Sequence, residues 1–263
     1  MIKEEIVKLT FPYSDKREKV VRVFIPAHEE GETFPVVYMT DGQNLFDEET
    51  SSFGSWLTRE AVREEQSANG RGAIIVGIHN DGSPLDRNND LTPAGIGKVD
   101  GFFRRILAFP RPAGEAFARF AVETVKPEIE SRFPVKKGRE NTAFCGSSSG
   151  GLESFFIAMT YPEIFSYAGV ISPAFCLYSE KDMRKWIERK VRKDIEMPFL
   201  YIYTGRGDKR EKEMWDGEQK TFAILRECYP QELLKEVLKP EALHNEAAWQ
   251  PVFREFLHLF LSR

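Results

Sequence analysis

The chain has 263 residues, with 37 Lys+Arg against 41 Asp+Glu, a formal net charge of −4 with the histidines neutral. That mild acidic balance excludes a protein living on phosphate neutralisation, so no nucleic-acid partner is expected. A hydrophobic content of 41%, a charged content of 30% and 15 prolines spread along the chain describe a globular protein, long enough to build a full core as a single domain.

The start, Met-Ile-Lys-Glu-Glu-Ile-Val-Lys, has acidic residues where a signal peptide needs a basic and then an apolar run, and a cytoplasmic placement is expected. No stretch approaches the run of about 18 uninterrupted apolar residues of a spanning helix, so no membrane partner is expected. Cys145, Cys176 and Cys228 make an odd count without a CxxC pair, which argues against a disulfide framework and a zinc knuckle and for buried thiols. A homo-oligomer is compatible with all of this.

Short β-branched or aromatic runs alternate with helix-period segments, the pattern of a largely parallel sheet covered by helices. Ile6 to Phe11 and Val20 to Ile25 form an opening antiparallel pair around a turn at Ser14-Asp15. Val36 to Met39 is a compact apolar strand stopping at Asp41-Gly42, and Ala73 to Ile78 is a second, ending at His79-Asn80-Asp81-Gly82. Asp81 to Pro112 has little periodicity and many turn residues, which marks a functional or mobile loop. Phe117, Phe120, Ala121, Val125 and Ile129 recur at helical spacing, with a kink or boundary expected at Pro127.

Thr142 to Cys145 is a short buried strand running directly into Gly146-Ser147-Ser148-Ser149-Gly150-Gly151, and Leu152, Phe155, Phe156 and Met159 mark a following helix that stops at Tyr161-Pro162. Tyr167 to Ser172, Phe199 to Thr204 and Leu233 to Leu238 supply three more strands, before a closing helix with Trp249, Phe253, Phe256, Leu257 and Phe260 on its core face. Between two of these strands, Leu177 to Ile195 is a candidate cap. It holds Lys181, Arg184, Lys185, Arg189, Lys190, Arg192 and Lys193, which fit either a solvated helix face or a cationic entrance to a site.

A bare G-x-S-x-G arises by accident in roughly one chain of this length in ten. Its setting between a buried strand and an amphipathic helix is what a nucleophile elbow requires. The glycines allow the tight turn, and Ser148 would project its Oγ above the sheet with the helix amides behind it. A serine hydroxyl needs a base, and the base needs a third group to orient it. His28 and His79 precede the serine, and His258 lies in the last helix as a packing residue. His244 follows the last strand, in the loop before the closing helix, where such a base belongs. Asp208 follows the preceding strand, 60 residues after Ser148 and 36 before His244, and is the candidate acid, with Glu211 or Asp216 as substitutes.

With these residues placed, the chain resembles the putative esterase family of the α/β-hydrolase fold, which includes esterase D-like, enterochelin, feruloyl and acetylxylan esterases and the mycobacterial mycolyltransferases. The resemblance covers nearly the whole chain. Beyond the serine motif it rests on Val37-Tyr38-Met39-Thr40-Asp41-Gly42-Gln43-Asn44-Leu45-Phe46-Asp47, Arg87-Asn88-Asn89-Asp90-Leu91-Thr92-Pro93, Tyr161-Pro162-Glu163-Ile164-Phe165 and His244-Asn245-Glu246-Ala247-Ala248-Trp249. Two departures stand out: Thr40 where relatives often carry His, and Ser149 where they often carry Met.

The resemblance implies an α/β-hydrolase fold, a mostly parallel central sheet with an antiparallel N-terminal pair and helices on both faces. It implies a serine carboxylic-ester hydrolase with an acyl-enzyme intermediate, and an oxyanion hole of the backbone N–H groups of Gln43 and Ser149. No cofactor or metal is required. A carbohydrate-linked acetyl or hydroxycinnamoyl ester, a siderophore ester and a small thioester all fit as substrates. Asp41, Trp56, Arg87 and Trp215 are candidate substrate-binding residues, with Phe102, Phe103 and Phe175 as further candidates for an aromatic acyl pocket. An acyltransferase using the same triad with an alcohol or sugar acceptor, and a non-catalytic carbohydrate-binding member of the fold, are the alternatives. Asp86 to Asp90 lacks the glycine and closing glutamate of a calcium loop, and Ala94 to Lys98 lacks the residues of a phosphate loop.

Overall fold

The computed structural model describes all residues except 14–16, 50, 52–53, 81–82 and 102–110. Eight strands form one sheet: β1 (Glu5–Pro12), β2 (Glu18–Ile25), β3 (Val36–Met39), β4 (Ile74–Ile78), β5 (Thr142–Ser147), β6 (Tyr167–Ile171), β7 (Phe199–Gly205) and β8 (Leu234–Lys239). Their order across the sheet is β1-β2-β4-β3-β5-β6-β7-β8. β1 pairs antiparallel with β2 and β2 with β4, while β4, β3, β5, β6, β7 and β8 pair in parallel. Each expected strand is present. The expected turns at Ser14-Asp15 and Asp81-Gly82, and the aromatic pair Phe102 and Phe103, lie outside the described residues.

The central strands are buried on both faces, and their two-residue period divides them between two cores. Val36, Tyr38, Ile74, Val76 and Phe144 enter one, and Val37, Met39, Ile75, Ala143 and Cys145 enter the other. The helices Thr58–Asn69 and Glu246–Leu261 cover the second face, the latter through Trp249, Phe253, Phe256, Leu257 and Phe260. The first face is covered by segments within Gly114–Arg132, Ser149–Thr160, Glu180–Lys190 and Lys209–Cys228. In the first of these, Gly114–Arg119 passes through a π-helical stretch at Phe120–Val125 into Lys126–Arg132. Pro127 has no N–H for the carbonyl of Glu123 and its ring crowds that turn, which explains a widening where a kink is expected.

Three expectations change. The aperiodic segment after β4 contains a helix, Pro84–Asp90, started by a reciprocal cap between Ser83 and Asp86. It is anchored from below by Asp90, which accepts Lys19 Nζ at 2.9 Å and Arg17 at 3.1 Å, with the Lys19 and Asp90 side chains only 1% and 2% exposed. His258 is no packing residue: its side chain is half exposed and Nδ1 lies 3.2 Å from Glu65. Of the free cysteines only Cys145 is buried, while Cys176 and Cys228 are half-buried.

Chain direction across the sheet reverses between β3 and β5: β3 is followed by β4 on one side, and β5 by β6 on the other. At such a switch point two neighbouring strand ends send their loops apart and leave a crevice. Met39 is in register with Cys145 there, so the turn after β3 and the turn after β5 emerge side by side.

Candidate active site

Ser148 stands between β5 and the helix Ser149–Thr160 at φ 59°, ψ −123°, a backbone conformation that a side-chain-bearing residue rarely adopts. The surroundings hold it there. Its N–H donates to Ile171 O at 2.9 Å, and its carbonyl accepts from Leu152 at 3.0 Å and Ala174 at 3.1 Å. A Cβ on Gly146 would lie 2.5 Å from Thr40 Oγ1 and 2.6 Å from the Gly150 carbonyl, and one on Gly150 would collide with Thr40 Oγ1. Thr40 therefore packs directly on the elbow glycines. Ser148 itself is half-buried, and the N–H of Ser149 belongs to the helix's first turn, whose amides have no intrahelical acceptor.

Beside the elbow, the chain leaves β3 through Asp41 at φ 55°, ψ 43°, and forms the turn Gly42–Asn44, which carries Gln43. Gly42 lies against the backbone of Gly77, whose Cα would be 2.9 Å from a Cβ there. Arg87 grips the Asp41 carboxylate with two bonds, Nε to Oδ1 at 2.7 Å and a terminal nitrogen to Oδ2 at 2.8 Å, and Asn80 donates to it as well. Asn80 N–H donates to Gln43 Oε1 at 3.2 Å. The buried Asp41 and the half-buried Arg87, both candidate substrate contacts, thus make a clamp that fixes the turn.

Asp208 caps the N-terminus of the helix Lys209–Cys228. Its Oδ1 accepts from Glu211 N–H at 2.9 Å and its Oδ2 from His244 N–H at 2.7 Å. Burial pushes its pKa up, but the bonds from the His244 and Glu211 amides outweigh this and hold the carboxyl below its usual value. The carboxylate that meets the His244 ring is Glu211, with Oε1 3.2 Å from Nδ1, off the angle of an aligned hydrogen bond. Glu211 is 0% exposed and the His244 side chain 4%. Glu211 Oε1 also accepts from Ser172 Oγ at 2.6 Å, and Ser172 Oγ from Trp249 Nε1 at 3.2 Å. Trp249 stands edge-on to the imidazole, with centroids 5.0 Å apart. The carboxylate next to the imidazole is thus Glu211, not the first-choice Asp208. A short aspartate at an N-cap is committed to backbone amides, whereas the glutamate one turn on has the length to reach the ring. The third candidate, Asp216, is exposed and 3.6 Å from Lys220.

Trp56 is 2% exposed and packs on Trp249 and Phe253, and Phe175 is 1% exposed against Phe155, so both are core residues. Trp215 is half-buried beneath the Arg206 guanidinium, 4.7 Å from the ring centre. In the basic segment, the helix Glu180–Lys190 lies between β6 and β7, with Trp186 stacked on Phe156 at 5.5 Å and Arg184 paired with Glu227. Arg189 and Lys190 border a cavity of about 530 Å³ shared with Thr160 and Tyr161, at the far end of the helix that begins next to Ser148. Among the described residues no group of three or more His, Cys, Asp and Glu is gathered to hold a metal, and no helix is long and apolar enough to cross a membrane.

A parallel sheet with a strained serine elbow at its switch point, and an acid and a histidine in the loops after β7 and β8, defines the α/β-hydrolase fold. The family model described as "Putative esterase" matches residues 14–256, and the chain belongs to that family. The chain is 29% identical over 99 residues to an endo-1,4-beta-xylanase/feruloyl esterase of Xylanibacter ruminicola, covering 38% of this chain and 12% of that one. It is 32% identical over 141 residues to the ferri-bacillibactin esterase BesA of Bacillus subtilis, covering 50% and 45%. These matches span less than half the length of either relative. Among solved structures, siderophore hydrolase EstA from Aspergillus nidulans shares the fold with a TM-score of 0.73 at 20% identity, over 97% of this chain and 94% of that one.

Proposed function

We propose that the protein is a serine carboxylic-ester hydrolase working through an acyl-enzyme. The observation that carries this reading is Ser148 at its strained elbow, its N–H bonded to the Ile171 carbonyl, with the next residue of that strand end, Ser172, bonded to the Glu211 carboxylate that faces His244. His244 Nε2 takes the Ser148 proton as Oγ attacks the ester carbonyl, and Glu211 at Nδ1 fixes the tautomer and stabilises the imidazolium. The N–H groups of Gln43 and Ser149 hold the developing oxyanion, worth about 3–4 kcal/mol of barrier per donor in comparable sites. His244 returns its proton to the leaving alkoxide, then activates the water that releases the acid and regenerates Ser148.

The relatives named for feruloyl and ferri-bacillibactin ester cleavage support hydroxycinnamoyl and siderophore esters as the first substrates to try. A panel of nitrophenyl, feruloyl, acetyl-sugar and catecholate-siderophore esters, run beside Ser148→Ala, tests the reading. Turnover that falls by several orders of magnitude in the variant supports it. Turnover unchanged in the variant, or absent from the wild-type protein on every ester, overturns it.

A further inference from the structure

Glu246 is the first residue of the closing helix, two positions after His244, and is 6% exposed. It does not cap that helix, because Asn245 does so, its Oδ1 accepting from Ala248 N–H at 3.0 Å. Burial, the largest influence, and the nearby Asp41 carboxylate push its pKa up, while the Asn44 bond and Arg87 oppose them, and the net direction is upward. A buried acid held against this cost calls for a role. Its Oε1 accepts from Asn44 Nδ2 at 2.9 Å, a buried bond between residues 202 apart in sequence.

Asn44 closes the turn that presents Gln43, and its place is otherwise set by backbone bonds, N–H to Asp41 O at 2.9 Å and O from Trp56 N–H at 2.8 Å. Arg87 and Asn80 grip the turn at Asp41 and Gln43, and Glu246 is the side chain that grips its end at Asn44. Glu246 belongs to the segment that carries the base, so this one bond ties the oxyanion donor to the histidine loop.

We propose that Glu246 is a positioning residue that, through Asn44, sets the spacing between the Gln43 N–H and the His244 imidazole. This rests on the serine-esterase reading above. Oxyanion donors act only where the charge develops in the transition state, so a loosened turn lowers kcat and leaves ground-state binding alone.

The test reverses the bond. Asn44→Asp sets two carboxylates against each other. Adding Glu246→Gln restores a donor and an acceptor with their roles exchanged. For a nitrophenyl ester, Asn44→Asp is expected to lower kcat by roughly 10–100-fold with KM within about twofold, and Glu246→Ala to do the same. The double variant is expected to recover to within about fivefold of wild type. A double variant no faster than Asn44→Asp overturns the proposal, as does Glu246→Ala with kcat within about twofold of wild type. Should Glu246→Ala fail to fold, the reversed pair still decides. Wild-type and Ser148→Ala turnover in the same assay separates failure of this inference from failure of the esterase reading.

Discussion

The elbow after β5 and the loop after β7 are built on different principles. At the elbow, five consecutive residues supply the turn, the proposed nucleophile and the first helix amide, so the local sequence carries nearly the whole geometry. After β7, two carboxylates stand three residues apart in one helical turn, and their roles are divided by what each can reach. Asp208 satisfies the amides of Glu211 and His244, while Glu211 faces the imidazole from a fully buried position under Ser172 and Trp249. Side-chain length and capping geometry, rather than residue type, decide which carboxylate meets the imidazole.

Exchanging the two acids tests that division most severely. Glu211→Gln keeps the volume but removes the charge behind His244, and kcat is expected to fall by on the order of 10³–10⁴, as for the equivalent loss in serine proteases. Asp208→Asn, measured beside it, is expected to fall less than about tenfold, because its bonds to backbone amides survive in part. Equal losses in both would erase the distinction.

The elbow side has a remote anchor of its own. Asp90→Ala strips the buried Lys19 of its counter-charge and frees the helix that carries Arg87. Urea unfolding is expected to register a loss of about 3–5 kcal/mol. Asp208→Ala, which removes a helix cap and the bond to the His244 amide, is expected to cost about 1–2 kcal/mol by the same measurement.

An effect read in pH rather than in activity lies behind Glu211. Glu218, 1% exposed and two turns further along the same helix, has its carboxyl pushed up to about 9, first by burial and then by Glu236 and Glu211. The native state therefore keeps a proton that the unfolded chain releases near the ordinary value of about 4.3. Its contribution to stability is complete below that value and is lost as pH rises toward about 9, since the native state binds more protons throughout the window. Glu218→Gln is expected to flatten the decline of the urea midpoint between about pH 5 and about pH 9. An unchanged slope would place the proton elsewhere.

Much of this site is legible in the sequence because its parts are local. Strand, Gly-x-Ser-x-Gly and helix follow one another without a break, and His244 is marked by its place after the last strand. The acid is less legible because Asp208 and Glu211 both fit a capping pattern, and only the fold reveals which carboxylate meets the ring. Trp56 and Phe175 read equally as pocket or core, and packing against Trp249 and Phe155 decides for core. The basic segment reads from sequence as a charged face, and only the fold shows the face it buries, Met183, Trp186 and Ile187 of Glu180–Lys190, packed into the first core. The bond from Asn44 to Glu246 leaves no local trace at all, because its partners are brought together only by closure of the whole chain.

Ser148 as the covalent nucleophile is the claim on which all of this turns, and intact-mass spectrometry of enzyme quenched early in turnover of a nitrophenyl ester tests it most directly. The account predicts a burst of nitrophenol together with one acyl group on the peptide containing Ser148, and neither in Ser148→Ala. An adduct that persists in Ser148→Ala, or that maps to another residue, would contradict it.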